Sequence, residues 1–418
     1  MVTSTNLRLT ISTPLQNNYH YIITGGGCAG LSLLMRMMKE PYFRDKKILV
    51  IDQSPRIISD RTWCFWEKVP GLFEPIVHHQ WRKIHFYANE FSELLAISPY
   101  QYKMIMGIDF YTYVQTEAKN HSNIEWLNEK VNAISNIGEK AIVELENETI
   151  PGDFVFNSIL FNKNFLTPPL VLVPPEKEGR GVSNYLLLQH FKGWLIETKD
   201  PVFDSETATF MDFRISQEEG TAFMYVLPIS STTALVEYTL FTEKLLPPES
   251  YEIALKSYIG NTLKISEYTI SHEEFGVIPM TNHRFSLEEG RIVNIGVAGG
   301  QVKGSSGYAF QFIQKRTEQI VQSLIGKGHP FIKETWNTKK GKLYDSVLLN
   351  VLYNNKMKGD KIFTLIFQKN PPQRVLRFLD NETNFWEDFQ IMQSVPTRIF
   401  LPAAFNEIVH KYIFQFAY

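Results

Sequence analysis

The first 50 residues of the chain change from a strand-like to a helix-like pattern of apolar positions and back again. Residues 19–24 form a short β-prone run, and residues 47–51 form a second one. The apolar residues between the two runs recur at the spacing of one helix face: Leu31, Leu34, Met35 and Met38. This order predicts a strand, a helix and a second strand, which is the βαβ unit of a parallel sheet.

The turn between the first strand and the helix is rich in glycine. Residues 25–30 fit G-x-G-x-x-G, in which Gly25 permits a tight turn, Gly27 lets the backbone approach a pyrophosphate, and Gly30 allows close helix–strand packing. Asp52 ends the second strand about 20 residues later, the spacing of an acid that binds a ribose. We therefore expect a dinucleotide site, for which FAD and NAD both remain open. A glycine-rich turn without a ligand is the alternative.

Three large aromatic residues stand close together after this unit. Trp63, Phe65 and Trp66 fall within four positions. They predict either a buried aromatic corner or a pocket wall that stacks on a flat or polyene ligand.

Residues 209–241 have the pattern of a three-stranded antiparallel meander. In its last strand, Glu237 shares one face with Leu235, Thr239 and Phe241. The simple interpretation is a carboxylate on a wetted sheet face. If this face lines a dry cavity instead, burial would raise the pKa of Glu237 and make it a proton donor.

A second glycine-rich block follows further along the chain. A strand ends at Gly296, Gly299 and Gly300 come next, and residues 304–310 open a helical stretch. We expect the chain to return here and complete the nucleotide domain, with its backbone near a flavin ring. An ordinary glycine-rich loop is the alternative.

The region from Gly341 onward is helical in period. Its last apolar positions share one helix face: Phe405, Ile408, Val409, Tyr412, Ile413 and Phe416. Asn406, Glu407, His410 and Lys411 lie opposite. Core packing of the apolar face is the prediction, and a helix lying in a membrane interface is the alternative.

Composition narrows the class of protein. The length of 418 residues predicts just under three domains at roughly 150 residues each, and 44% apolar with 21% charged residues is typical of a soluble globular chain. The net charge of −2 gives no excess of lysine and arginine that would favour binding to nucleic acid. Cys28 and Cys64 are too few for a disulfide framework, which favours an intracellular protein. We expect no metal site, no secretory signal and no membrane-spanning segment.

Taken together, the motifs resemble the lycopene cyclases, and the bacterial β-cyclases in particular. Besides the glycine turn, the segments that carry the resemblance are residues 61–66, 210–212, 225–230, 235–239, 276–280 and 304–308. The segments around Trp63 and Glu237 are specific to cyclases. Two departures stand out, because Tyr238 replaces the second of two adjacent acids in the family and Val297 replaces the aspartate that many flavoproteins carry after Gly296.

The resemblance implies an α/β fold, that is, an FAD/NAD(P)-binding Rossmann-like flavoprotein fold with an antiparallel β-sheet substrate domain and a helical C-terminal region. Residues 18–160 and 276–330 would form the FAD-binding domain in two parts. Residues 161–275 would form the β-rich substrate and catalytic region, and residues 331–418 the helical C-terminal region.

The resemblance also implies site residues. Catalysis is expected from Glu237 and Asp212. Contacts to the cofactor are expected from Gly25, Gly27, Cys28, Ala29, Gly30, Asp52, Gly296, Gly299, Gly300, Gly307 and Tyr308. Contacts to the substrate are expected from Trp63, Phe65, Trp66, Tyr225 and Pro228.

The implied function is lycopene β-cyclase, an isomerase that closes the ψ-ends of lycopene to β-rings without net redox change. Reduced FAD is the implied cofactor and NAD(P)H its reductant. The implied partners are lycopene, the monocyclic intermediate and membrane lipid, and the expected location is cytoplasmic, at the inner face of the membrane. The sequence does not define an oligomeric state. A flavin monooxygenase, a prenyl-chain reductase and an isoprenoid carrier are the alternatives.

Overall fold

The computed structural model describes residues 18–161 and 185–413, with side chains described as far as Val409. The strands within those residues are β1 (Tyr19–Thr24), β2 (Ile48–Ile51), β3 (Thr62–Glu67), β4 (His79–Trp81), β5 (Lys83–Ala88), β6 (Phe91–Ala96), β7 (Gln101–Met106), β8 (Ile124–Leu127), β9 (Ala133–Ile137), β10 (Lys140–Glu144), β11 (Thr149–Asn157), β12 (Leu186–Glu197), β13 (Thr207–Asp212), β14 (Thr221–Pro228), β15 (Thr233–Thr242), β16 (Thr269–Thr281), β17 (Glu288–Glu289) and β18 (Ile292–Asn294). The helices are α1 (Cys28–Lys39), α2 (Gly107–Ala118), α3 (Pro248–Asn261), α4 (Phe310–Lys327), α5 (Trp336–Tyr353), α6 (Gly359–Lys369), α7 (Pro372–Leu379), α8 (Phe385–Ser394) and α9 (Thr397–Ile413).

The first sheet has a parallel centre. β1 lies between β2 and β11, while β8 and β18 extend the sheet in parallel on either side. β2 is buried along its whole length and β1 along nearly all of it, which is why both form continuous apolar runs. The predicted βαβ unit is confirmed, because α1 connects β1 to β2 and packs beside α4. The return of the chain through β18 into this sheet is confirmed as well.

The second sheet is mostly antiparallel and has seven strands in the order β16, β12, β15, β14, β13, β5 and β6. The predicted meander is confirmed as β13, β14 and β15. β5 and β6 come from the N-terminal part of the chain and join this sheet beside β13. The expected division at residue 275 falls inside β16, and residues 162–184 of the expected substrate region lie outside the described residues.

A small third sheet of β3, β7 and β4 lies against both larger units. β3 carries the aromatic segment that follows the nucleotide unit in the sequence. Phe65 of β3 belongs to the apolar core around α1 and α4, whereas Trp66 belongs to the core beneath the seven-stranded sheet. The aromatic segment therefore joins the two cores.

Helices α5 to α9 form the C-terminal region, as predicted. No helix in the described part of the chain is both long enough and apolar enough to cross a membrane. Core packing of the apolar face of α9 is wrong for Phe405 and Ile408, because their side chains are exposed. The side chains of Tyr412, Ile413 and Phe416 lie outside the described residues.

Glu407, on the opposite face of α9, is buried because it finds hydrogen-bond donors. Glu407 accepts hydrogen bonds from Tyr185 Oη at 2.9 Å and from Asn350 Nδ2 at 2.9 Å, and a further one from Ser346. A buried carboxylate with several donors is stabilised relative to an unpaired one. The helix therefore docks on α5 through Glu407, and Phe405 and Ile408 point outward.

Candidate functional site

A cavity of about 1,020 Å³ lies between the parallel sheet and the seven-stranded sheet. One wall is made by residues that follow the carboxyl ends of β1, β2, β8, β11 and β18: Gly25, Asp52, Val131, Ser158 and Gly296. The other wall is made by side chains of β12, β14, β15 and β16. Ligands of open α/β sheets bind outside the carboxyl ends of the strands, so this cavity is the candidate site.

The glycine turn borders the cavity at the start of α1. Gly27 is the residue before the first turn of the helix, which has no side-chain cap and no acidic residue. A Cβ atom on Gly27 would meet nothing closer than Arg56 Nη2 at 4.0 Å. A Cβ atom on Gly30 would lie 2.1 Å from the carbonyl oxygen of Gly25. Gly27 thus leaves space beside free backbone N–H groups, while Gly30 lets α1 approach the turn.

Cys28 and Ala29 line the same end of the cavity. Burial raises the pKa of the Cys28 thiol to about 12, so the group is neutral at physiological pH. These two residues offer backbone amides rather than side-chain chemistry.

Asp52 lies beside the glycine turn, as the βαβ pattern requires. Its carboxylate accepts hydrogen bonds from the backbone of Gly26 and from the backbone of Ser54 at 2.7 Å. Arg56 Nη2 forms an ion pair with it at 3.1 Å. The carboxylate lines the cavity while these partners hold it in position.

The downstream glycine block contributes two of its four predicted glycines. Gly296 and Gly307 line the cavity, and both have the positive φ that favours glycine. Gly299 and Gly300 shape the turn behind the wall and are not among the lining residues. The side chain of Gln189 fills the space beside Gly307, and its buried Oε1 has no hydrogen-bond partner among the described residues.

The predicted substrate contacts divide between the cavity and the core. Trp63 and Tyr225 line the cavity. Phe65 stacks on Phe310 with ring centroids 4.2 Å apart, and Trp66 packs edge-on against Tyr308 at 4.7 Å, both behind the wall. The expected substrate contacts of Phe65 and Trp66 are therefore corrected, because each ring completes one of the two apolar cores.

Pro228 is also outside the cavity wall. Its carbonyl oxygen accepts a hydrogen bond from the buried Trp81 Nε1 at 2.9 Å. The expected substrate contact is replaced by a structural one, which fixes the end of β14.

Glu237 reaches the cavity from the centre of the seven-stranded sheet. It stands opposite Tyr225 of β14 and Gly193 of β12, and its Oε1 accepts a hydrogen bond from Thr239 Oγ1 at 2.7 Å. Burial, together with the negative charge of Glu274, raises the pKa of Glu237 to about 8. The face that it shares with Leu235 thus lines the cavity and is not an open surface of the sheet.

The sequence interpretation missed Glu274, which shares the cavity with Glu237. Its side chain is 4% exposed, and burial raises its pKa to about 7, although the neighbouring Thr62 lowers it. Strand alternation alone could have indicated the position, since Glu274 and Gly276 share one face of β16 while Glu273 and Phe275 share the other.

Asp212 is fully buried but does not reach the cavity. Arg214 Nη2 pairs with its Oδ2 at 2.7 Å, and Tyr258 Oη donates a hydrogen bond to the same oxygen at 2.7 Å. These partners fix the Asp212 side chain away from the cavity. The expected catalytic role of Asp212 is therefore corrected to a structural one.

The other ionisable groups near Glu237 are aromatic hydroxyls and a thiol. Tyr225 Oη and Tyr308 Oη lie 3.1 Å apart, and burial raises the pKa of both. Tyr102 and Cys64 lie in the same enclosure, and burial raises their pKa values too. The arrangement can keep a carboxyl group protonated near neutral pH and present it to an apolar molecule.

Comparisons with solved structures define the fold. A flavoprotein/dehydrogenase from Cytophaga hutchinsonii is similar with a TM-score of 0.60 and 11% identity, over 94% of this chain and 99% of that one. A geranylgeranyl bacteriochlorophyll reductase-like protein from Thermoplasma acidophilum is similar with a TM-score of 0.53 and 12% identity, over 95% and 97%. A p-nitrophenol 4-monooxygenase from Pseudomonas putida is similar with a TM-score of 0.54 and 11% identity, over 94% of this chain and 99% of that one. The predicted flavoprotein fold is confirmed.

Comparisons of sequence define the family. A curated lycopene beta-cyclase from Pantoea ananas is 24% identical over 278 residues, which is 64% of this chain and 64% of that protein. The match thus spans slightly less than two thirds of the relative. The family model described as "Lycopene cyclase protein" matches residues 21–404. The chain therefore belongs to the lycopene cyclase family and has the fold of FAD-dependent flavoenzymes.

Proposed function

We propose that this protein is an FAD-binding lycopene β-cyclase, an isomerase of the intramolecular lyase class. The observation that carries the proposal is Glu237, a carboxyl group on the cavity wall whose pKa is raised to about 8 by burial and by a neighbouring negative charge. Such a group holds its proton at neutral pH. It can deliver that proton to a very weak base inside the cavity, where a hydrated carboxylate would be ineffective.

The reaction needs an acid and a stabilised cation rather than an oxidant. Protonation of the terminal double bond of lycopene lets the next double bond close a ring and leaves a tertiary carbocation. Loss of a neighbouring proton then gives a β-ring. One such event gives γ-carotene and two give β-carotene, with no net transfer of electrons.

Aromatic groups around Glu237 suit a cationic intermediate. Tyr225 stands opposite Glu237 on the neighbouring strand, and Trp63 lines the same cavity. The faces of both rings carry negative electrostatic potential. A cation–π interaction with such a face stabilises a desolvated cation by about 2 kcal/mol. These residues also provide the apolar surface that a hydrocarbon requires.

The residues at the other end of the cavity fit FAD. The uncapped first turn of α1 offers N–H groups to a pyrophosphate, and Gly27 leaves the necessary room. Asp52 is suited to the ribose, and the unpaired Gln189 Oε1 near Gly307 is suited to a ring N–H group of the flavin. If FAD were bound here in its reduced form, it would supply negative charge that stabilises a carbocation at low dielectric.

We also propose NAD(P)H as the reductant. The chain carries one G-x-G-x-x-G turn, and that turn is assigned to FAD. NAD(P)H would then bind transiently, without a nucleotide-binding domain of its own.

We place the protein in the cytoplasm, bound peripherally to the inner face of the membrane. The proposed substrate is wholly apolar, so it has to be taken from a bilayer. α8 and α9 expose apolar side chains that a bilayer would cover: Phe385, Trp386, Phe389, Met392, Leu401, Phe405 and Ile408. Phe275 and Val277 are exposed too and line the cavity, which supports entry of the polyene between them.

The proposal is tested by anaerobic incubation of the protein with reduced FAD and liposomal lycopene, followed by chromatography of the pigments. We expect γ-carotene and β-carotene, without consumption of NAD(P)H in proportion to product. Glu237→Gln should lower turnover by at least about a thousandfold at normal flavin content, because an amide cannot donate the proton. Full activity of this variant would exclude Glu237 as the acid.

The same incubation separates the alternatives. A monooxygenase or reductase would consume one NAD(P)H per product, and the monooxygenase would also need oxygen. An isoprenoid carrier would bind the pigment and leave its structure unchanged.

A further inference from the structure

A glycine separates the two carboxyl groups of the cavity. Gly193 of β12 is paired with Glu237 of β15 on one side and with Glu274 of β16 on the other. Directly opposed residues of a sheet point to the same face, so both carboxyl groups rise from one wall. A Cβ atom on Gly193 would lie 3.0 Å from Glu274 Cγ and 3.1 Å from Leu235 Cδ1. Because Gly193 has no side chain, the side chains of Glu274 and Leu235 occupy the space above it, between the strands of the two acids.

Each carboxyl group has a threonine beside it, but the two groups differ in their hydrogen bonds. Thr239 donates a hydrogen bond to Glu237, and Thr62 lies beside Glu274. Glu274 Oε2 is buried and has no hydrogen-bond partner among the described residues. An unpaired buried carboxylate oxygen is costly, which points to a partner that is supplied during function.

We propose that Glu274 is the base that accepts the proton released when the ring closes, while Glu237 is the acid that starts the reaction. This inference rests on the function proposed above. The two groups would share one proton between them, because two charges in one enclosure repel each other and two neutral acids leave no base.

The step balances without any further reactant. The O–H bond of Glu237 breaks, and its proton adds to a carbon of the terminal double bond. The electrons of the next double bond form the ring bond and leave the charge on a tertiary carbon. A neighbouring C–H bond then breaks, its electron pair becomes the ring double bond, and its proton goes to Glu274. Transfer of that proton back to Glu237 resets the pair.

We expect the pair to titrate near neutral pH, because the tyrosine hydroxyls and the thiol that face it stay neutral there. Burial raises the pKa of each of them: Cys64, Tyr102, Tyr225 and Tyr308. Arg61 lowers the pKa of Glu274, and Asp60 raises it. We therefore expect a bell-shaped pH profile whose acidic limb is protonation of Glu274 and whose basic limb is deprotonation of Glu237.

The experiment compares Glu274→Gln with Glu273→Gln. Glu273 is the next residue on the same strand, lies on the exposed face, and pairs with Lys192 Nζ at 3.2 Å. We expect Glu274→Gln to lower kcat by about 10²- to 10⁴-fold, with flavin content and lycopene binding retained. The acidic limb should disappear. The basic limb should move to lower pH, because removing the negative charge of Glu274 lowers the pKa of Glu237.

Product identity provides a second measurement. Without its base the cation loses protons from other neighbouring carbons, so the remaining product of Glu274→Gln should contain ring isomers besides the β-ring. Glu274→Asp should recover part of the rate and the β-ring product. A wild-type rate, pH profile and product in Glu274→Gln would overturn the inference. Failure of the wild type and of Glu273→Gln to form any ring would instead overturn the proposed function.

Discussion

At the scale of single residues, the site depends on how each carboxyl group is solvated. Asp212 and Glu237 are both acids on strands of the same sheet, yet Asp212 is paired with an arginine and Glu237 accepts a hydrogen bond from one threonine. Pairing favours the charged form, whereas burial without a cation favours the neutral form. This difference is the reason why we propose Glu237 as the proton donor and a structural role for Asp212.

Thr239→Val tests the solvation of Glu237 directly. The Thr239 hydroxyl donates to Glu237 Oε1 at 2.7 Å and stabilises the charged carboxylate. Valine keeps the shape but removes the donor, so the pKa of Glu237 should rise. The basic limb of the rate profile should therefore move to higher pH, by about one unit for one hydrogen bond of about 1.4 kcal/mol. A limb that stays in place or moves to lower pH would contradict this role, and Thr233→Val on the same strand is the control.

At the scale of elements, the glycines around the start of α1 have separate tasks. Gly30 lies against the carbonyl oxygen of Gly25, and a side chain there would push α1 away from β1. Gly27 faces open space in the cavity. The same motif therefore contains one position that serves the fold and one that serves a ligand.

This separation predicts different results for two alanine variants. Gly27→Ala should fold with a melting temperature close to that of the wild type and bind FAD at least about tenfold more weakly, because the methyl group occupies the space of the pyrophosphate. Gly30→Ala should lower the melting temperature itself, since it forces a backbone contact. Flavin absorbance and thermal unfolding of both purified variants measure these effects. Full flavin content in Gly27→Ala would contradict the assignment of the turn.

At the scale of the whole molecule, the C-terminal helices leave an apolar surface uncovered. α9 docks through Glu407, so that Leu401 and Phe405 are 64% and 68% exposed, and α8 exposes Phe385 and Trp386 at 73% and 70%. Large exposed aromatic residues are typical of surfaces that meet a bilayer interface. We therefore propose that this surface contacts the membrane.

The double variant Phe385→Ser/Trp386→Ser tests that assignment. Burial of two large side chains contributes about 3 kcal/mol, so its loss should weaken binding to liposomes of anionic lipid by roughly a hundredfold. Cyclisation of detergent-dispersed lycopene should be unchanged. Val69→Ser/Ile137→Ser is the control, since Val69 and Ile137 are equally exposed elsewhere. Binding to liposomes is measured by co-sedimentation. Equal binding by both double variants would show that the contact lies on another surface.

The sequence by itself determined the nucleotide unit and the acid on β15. The helix period of α1, the spacing from Gly25 to Asp52 and the alternation around Glu237 are local patterns, and local backbone geometry enforces them. Only the tertiary structure decided which side chains reach the cavity. Phe65 and Trp66 pack in two different apolar cores. Glu274 lies near Glu237 because the strands of both glutamates pair with the strand of Gly193, which is distant from both in the sequence. Pairing between distant strands and the burial of α9 through Glu407 depend on contacts that no local pattern encodes.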